Sequence, residues 1–165
     1  MIRHSINRRR PIDAADTMKS TLIDQRDGLR TFVVVLATGD EAIQTLTSFA
    51  VDHHLGASHF TAIGAFSRAV VAYFEWSSRQ YRNIHIDDQV EVLSLLGDIT
   101  FEQPKPKVHA HTVLGKCDAT AHGGHLIEGV VRPTLEIVIT ELPRQLRRRF
   151  DPESGLALID PGSRT

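Results

Sequence analysis

The stretch Lys107–Val131, KVHAHTVLGKCDATAHGGHLIEGVV, carries four of the chain's nine histidines: His109, His111, His122 and His125. Its first half, Val108-His109-Ala110-His111-Thr112-Val113-Leu114, reads as a β-strand. Side chains two apart on a strand leave the same face, so His109 and His111 point the same way. Lys116-Cys117-Asp118-Ala119 is a natural turn, and His125 opens a second apolar run, Leu126-Ile127-Glu128-Gly129-Val130-Val131. Paired as a hairpin, the two runs bring His125 back beside His111, and a slip of one residue would turn it to the opposite face. Gly123-Gly124 offers a place for a bulge that sets this register. Three neutral imidazoles meeting on one face suit Zn²⁺, with the fourth coordination position left for water or a ligand.

The same spacing has a plainer reading, a solvated strand face that carries histidines and no ion. His122 competes with His125 for the third place. The two are separated by an odd number of residues, so only one of them joins the set in a regular strand. His125 is preferred because it opens the apolar run, and His122 is read as a loop residue.

At 165 residues the chain suffices for one well-buried domain and is short for two. Hydrophobic and charged fractions of 41% and 24% are those of an ordinary globular protein. No apolar run approaches the roughly 20 residues that cross a bilayer. Met1-Ile2-Arg3-His4-Ser5 runs straight into Arg8-Arg9-Arg10, without the apolar core of a secretory signal. Cys117 is the only cysteine, which excludes an intrachain disulfide and fits a reducing cytoplasm. In a hairpin turn it reads as an incidental thiol rather than a nucleophile.

The formal net charge is −1, whereas domains that depend on phosphate contacts usually carry a marked basic excess. Positive charge gathers instead at the two ends, in Arg8, Arg9 and Arg10 and in Arg144 with Arg147, Arg148 and Arg149. Any DNA contact falls to those clusters; solvated termini are the plainer alternative. Arg8-Arg9-Arg10-Pro11 resembles the Arg-Gly-Arg-Pro core of an AT-hook, with Arg9 where a glycine lets the backbone press into a narrow minor groove.

In chain order, residues 1–18 lack a clear period and read as a flexible basic arm, ahead of a single domain over 19–160 and a tail over 161–165. A strand is expected around Thr21-Leu22-Ile23, a turn at Asp27-Gly28, and a second strand over Leu29 to Ala37, buried on both faces. Thr38 with Glu41 matches a capping box, with Asp40 as a competing cap, for a helix from Asp40 to Leu55. Ile43, Leu46, Phe49 and Ala50 recur there at helical spacing, and Gly56 is the stop. The period then changes to strands: Phe60 to Phe66 and Ala69 to Trp76, joined at Ser67-Arg68; Tyr81 to Ile86 and Gln89 to Leu96, joined at Asp87-Asp88. Gly97-Asp98 ends that run, and Pro104 and Pro106 mark an irregular link. After the histidine hairpin come a strand from Thr134 to Glu141, a short helical turn over Leu146 to Phe150, and a last strand at Leu156-Ala157-Leu158-Ile159. The sum is an α+β domain, a mostly antiparallel β-sheet with one main helix.

Three segments in order resemble the plant and prokaryote conserved (PPC) domain family, in its prokaryotic single-domain type. They are the Thr38-Gly39-Asp40 helix start, Glu91-Val92-Leu93-Ser94-Leu95-Leu96-Gly97, and His109-Ala110-His111 with Gly123-Gly124-His125-Leu126; Thr134 to Ile139 fits as well. The likeness spans roughly residues 29 to 142, and the order of the segments is far more specific than any one of them. It implies a homotrimer, a fold similar to that of α-acetolactate decarboxylase, and a zinc ion on His109, His111 and His125. Its functional implication is a DNA-binding or regulatory protein.

The alternative is a zinc-dependent enzyme or small-molecule binder, since three-histidine zinc with an open position polarises carbonyls or activates water. Glu91, Glu128 and Glu136 are its candidate acids and bases, and Arg132 its candidate carboxylate holder. Each also reads as a surface charge on the outer face of its strand, and nothing names a substrate or assigns an enzymatic activity.

Overall fold

The computed structural model describes residues 17–102 and 104–162. The basic arm, with Arg8, Arg9 and Arg10, lies almost wholly outside them. The elements in chain order are β1 (Lys19–Arg26), β2 (Leu29–Ala37), α1 (Ala42–Asp52), β3 (Ala57–Glu75), β4 (Gln80–Ile86), β5 (Val90–Glu102), β6 (Lys105–Gly115), β7 (Ala121–Glu141), β8 (Arg147–Asp151) and β9 (Leu156–Asp160). All strands join one sheet, antiparallel except for a single parallel contact between β5 and β8 at Phe101 and Arg147. The α+β expectation therefore holds.

β1 and β2 form a hairpin whose turn places Asp27 at φ 50° and Gly28 at φ 83°, the left-handed pair that matches the twist of paired strands. Phe32, Val34 and Leu36 are buried while Val33 and Val35 are only half-buried. The expectation of burial on both faces of β2 is thus corrected to one core face.

Several boundaries move, each for a local reason. Ser67-Arg68 is not a turn: β3 is continuous, and Ser67 is the extra residue of a bulge against β7, its hydroxyl donating to the Val130 carbonyl at 3.2 Å. Nor does Gly97-Asp98 end a strand. A Cβ on Gly97 would lie 2.3 Å from the Phe60 ring, so the glycine admits a packed aromatic inside β5. β4 pairs with β3 rather than with β5. Pro106 sits within β6. The histidine run and the Thr134 to Glu141 run are one strand, β7, and Leu146 to Phe150 contributes to β8 instead of a helical turn.

The helix is shorter than Asp40 to Leu55, and its cap differs. Glu41 is itself the N-cap, accepting from the backbone N–H of Ile43 at 3.1 Å and Gln44 at 2.7 Å. It also accepts from Gly129 N–H at 3.0 Å, tying the helix start to β7. Thr38 donates instead to the Pro133 carbonyl, and Asp40 accepts from Ala37 N–H. Ala42, Leu46, Phe49 and Ala50 form the buried stripe that packs on β6 and β7. Beyond the helix, the buried Glu141 carboxylate accepts from Gly56 N–H, Ala57 N–H and the Ser58 hydroxyl, so the end of β7 holds the entry to β3.

The pairings β3–β5, β5–β6, β6–β7 and β7–β3 form a closed circuit, and the bulges in β3 and β5 supply the bending that closure requires. One face buries Phe60, Phe66, Leu95, Ile99, Leu114 and Ile137 beneath α1. On the other, successive cross-strand partners run Val33, Val138, Thr61, Leu96, His111 and His125. This second face is apolar yet open: Ile63 is 62% exposed, Leu96 56% and Val138 45%. Among the described residues no helix is long and apolar enough to cross a membrane.

Candidate metal centre

β6 and β7 pair without a slip from Gly115 opposite Ala121 to His111 opposite His125. This unslipped register sets which face His125 takes. The bulge expected at Gly123-Gly124 is absent from this pairing. A Cβ on Gly123 would lie 2.8 Å from the Thr112 carbonyl oxygen, and one on Gly124 2.8 Å from that of Ala72, so the two glycines allow close backbone approach on both sides of β7. His122 is a strand residue rather than a loop residue; exposed and opposite Leu114, it stands outside the set.

His109, His111 and His125 each offer a ring nitrogen within 4.8 Å of the other two. Their ring centroids are 5.1 to 5.3 Å apart. Tetrahedral zinc needs donor atoms about 3.3 Å apart given its usual bond length to nitrogen, a change within reach of small ring rotations. β5 contributes a residue that sequence reasoning missed. Asp98, the cross-strand partner of His109, accepts from its Nδ1 at 3.1 Å, which leaves Nε2 with its lone pair free to bind a cation. The ring of Tyr81 in β4 lies tilted against His125, centroids 4.9 Å apart.

Arg148 completes the surround. It donates to Asp98 at 2.7 Å, to the Thr100 hydroxyl at 2.7 Å and to the Ala157 carbonyl at 2.9 Å. With its side chain only 8% exposed, Arg148 is committed to the protein interior, unlike the free DNA contact expected of it. Arg147 lies over the Phe101 ring and Arg149 faces Asp160 at 3.5 Å. Nothing local in the sequence marks Asp98 or Arg148, because only the pairing of β5 with β6 and β8 carries them to the histidines.

Electrostatics favour neutral imidazoles at His111 and His125. Burial, then the charges of His109, His111, Lys107 and Arg148, push the pKa of His125 down to about 4. Burial, then His109, lowers that of His111. Burial opposes the charge on Asp98, but hydrogen bonds from His109 and Arg148 outweigh it and keep its pKa below the ordinary carboxylate value. Nδ1 of His125 is buried without a hydrogen-bond partner among the described residues, a costly state that a bound cation would relieve. Donor type, spacing and an oriented His109 thus all fit a metal ion, and the three histidines could hold one.

A cavity of about 420 Å³ opens beside His109 and His125. The carboxylates expected as acid or base lie elsewhere. Glu91 and Glu136 border a separate hollow next to Ile63 and Leu93, and Glu128 pairs with Arg68 at 2.9 Å. Arg132 donates to Gln89 at 3.1 Å. Glu102 is the carboxylate that borders the histidine cavity.

The model of the Plants and Prokaryotes Conserved (PCC) domain matches residues 23–143. The chain belongs to this family. Among solved structures, a metal-containing protein from Archaeoglobus fulgidus is 28% identical, with 87% of this chain and 98% of that chain covered and a TM-score of 0.75. A PPC protein from Pyrococcus horikoshii is 27% identical over 81% and 93%, TM-score 0.75. A "putative DNA-binding protein" from Ralstonia eutropha JMP134 is 29% identical over 78% and 90%, TM-score 0.74. No curated protein matches the chain.

The lowered His125 pKa fixes the sign of a pH effect in metal-free protein. Between about 4 and the ordinary 6.5, the unfolded chain binds a proton that the folded one refuses, so stability falls as pH drops through that window. NMR titration of the His125 ring in chelator-treated protein should give a midpoint near 4; one near 6.5 would contradict the burial and charge argument.

Proposed function

We propose that this PPC-family chain is a zinc-holding, small-molecule-binding protein that works as a homotrimer, with residues 19–160 as its one domain. The observation that carries this reading is the mutual approach of the His109, His111 and His125 nitrogens to within 4.8 Å, beside a cavity of ligand size. The Asp98 hydrogen bond to His109 is the outer partner that histidine ligands of zinc usually have. When bound, zinc in such a set supplies a Lewis-acidic open position. Fold likeness to α-acetolactate decarboxylase, implied by the family resemblance, is compatible with this use of three histidines and assigns no reaction. The metal-containing relative from Archaeoglobus fulgidus supports a metal here, and the exposed lone thiol of Cys117 a reducing cytoplasm.

Elemental analysis of purified protein should find one zinc per chain, and little in His111→Ala. Asp98→Asn should retain zinc but bind it roughly 10- to 100-fold more weakly, the usual effect of losing an outer-shell partner. Equal metal content in wild type and His111→Ala would sink the assignment.

The trimer is supported by the open apolar face. Ile63, Leu93, Leu96, Val113 and Val138 are 42 to 62% exposed, a patch of the kind that association covers. Light scattering after size exclusion should return three times the 18.4 kDa chain, and Ile63→Lys should shift the mass toward one chain. A wild-type monomer at micromolar concentration would remove this part of the reading.

A second reading, association with DNA, is supported by the similarity to the "putative DNA-binding protein" from Ralstonia eutropha and by Arg147, Arg149 and Arg8-Arg9-Arg10. It requires retention on a DNA column at low salt and loss of retention when residues 1–18 are removed, because that arm holds one of the chain's two runs of three arginines. Passage of the intact chain through the column unretained would exclude it.

A further inference from the structure

The cavity beside the three histidines has two unlike walls. His109, His125, Lys107 and Glu102 come from within the family match, residues 23–143. Arg148, Leu156 and Leu158 come from the β8–β9 hairpin, beyond its end. The histidine wall is the cationic one. Lys107 alternates with His109 and His111 along β6, so the three share a face. Lys107 is exposed and makes no ion pair among the described residues. Arg148 adds a second positive charge, partly offset by Asp98. Both cations border the same cavity as His125. Apart from Arg148 the hairpin wall is aliphatic, with Leu158 45% exposed, and Tyr81 also borders the cavity.

From this layout we infer that the cavity takes a small monocarboxylate with a short apolar tail. Its carboxylate sits between Lys107 and the histidine-held cation, and its tail lies on Leu156 and Leu158. The inference rests on the zinc reading for part of the positive field and deepens it by naming the ligand class. Glu102 sets the number of charges: a carboxylate bordering the same cavity repels a second carboxylate on the ligand. A cavity of about 420 Å³ is at the small end of ligand sites, which favours a short chain. The hairpin that supplies the apolar wall lies beyond the end of the family match.

The test titrates butanoate, 1-butanol, butylamine and succinate, in separate arms, into zinc-loaded and chelator-treated protein, followed by ligand-observed NMR. Zinc-loaded protein should bind butanoate and discriminate against each of the other three. Lys107→Met keeps the aliphatic stem of an exposed residue and should weaken butanoate about tenfold, the loss of one charge-assisted contact. Leu158→Glu, at a partly exposed strand position, should do the same through the other wall while leaving zinc content unchanged. Chelator-treated protein should keep a weaker preference for butanoate over butylamine, because Lys107 and Arg148 remain. Equal binding of butanoate, butanol and butylamine to zinc-loaded protein overturns the inference, as does a Lys107→Met variant indistinguishable from wild type. If elemental analysis finds that zinc does not bind, the metal reading fails separately. The chelator-treated titration then decides alone, and absence of carboxylate preference there also overturns the inference.

Discussion

The unslipped pairing of β6 with β7 governs everything that follows in this molecule. Side chains on a strand alternate, so a one-residue displacement would send His125 into the helix-covered core and bring Leu126 out. Two things hold the pairing fixed. The turn from Lys116 to Thr120 is held by two backbone hydrogen bonds, Lys116 N–H to the Thr120 carbonyl and Ala119 N–H to the Lys116 carbonyl. Gly123 and Gly124 let β7 approach β6 and β3 more closely than any side chain would allow. Both neighbours are part of the closed circuit of strands, so slippage at the hairpin would have to break pairings on the far side as well. The position of the third imidazole is therefore a property of the whole barrel-like closure.

Asp98 converts that geometry into an oriented site. One oxygen accepts from His109 and the other from Arg148, so a single carboxylate joins the histidine hairpin to the C-terminal hairpin. The arrangement is self-consistent in charge. Arg148 is deeply buried, and a buried cation needs a hydrogen-bonded counter-charge. Asp98 is held ionised by the same two donors and so remains able to fix the His109 tautomer.

Much of this was legible in the residues. The alternation of His109 and His111 and the odd separation of His122 from His125 rest on strand parity, which local sequence encodes. The helix stripe and the Asp27-Gly28 turn rest on equally local rules. The errors share one cause. Ser67-Arg68, Gly97-Asp98 and Gly123-Gly124 have turn, stop or bulge composition, yet each lies inside a long strand in a role set by its neighbours: a bulge against β7, room for the Phe60 ring, close approach of three backbones. Glycine and short polar residues report that something approaches closely or bends. They do not report whether the chain then ends its strand. Asp98 was missed because a strand end was expected at Gly97-Asp98, where β5 in fact continues and pairs with β6; Arg148 and Tyr81 were missed because they reach the histidines only through contacts distant in sequence.

The two faces of the sheet divide the labour between fold and site. Aliphatic residues on the inner face of β6, Val108, Ala110 and Leu114, are buried under the helix and anchor the strand. The alternate residues, Lys107, His109 and His111, are thereby presented outward without contributing to the core. Apolar residues border these histidines on one side, in the open row through Leu96 and Val138, and the C-terminal hairpin borders them on the other. Partial exclusion of water follows from both, and it is this partial burial that keeps His125 neutral while leaving the cavity open. A deeper site would strand Lys107 as an unpaired buried cation, and a shallower one would let the imidazoles protonate near their ordinary pKa. The half-buried rim of a closed sheet is the depth at which neutral nitrogen donors and a free ammonium group can stand side by side.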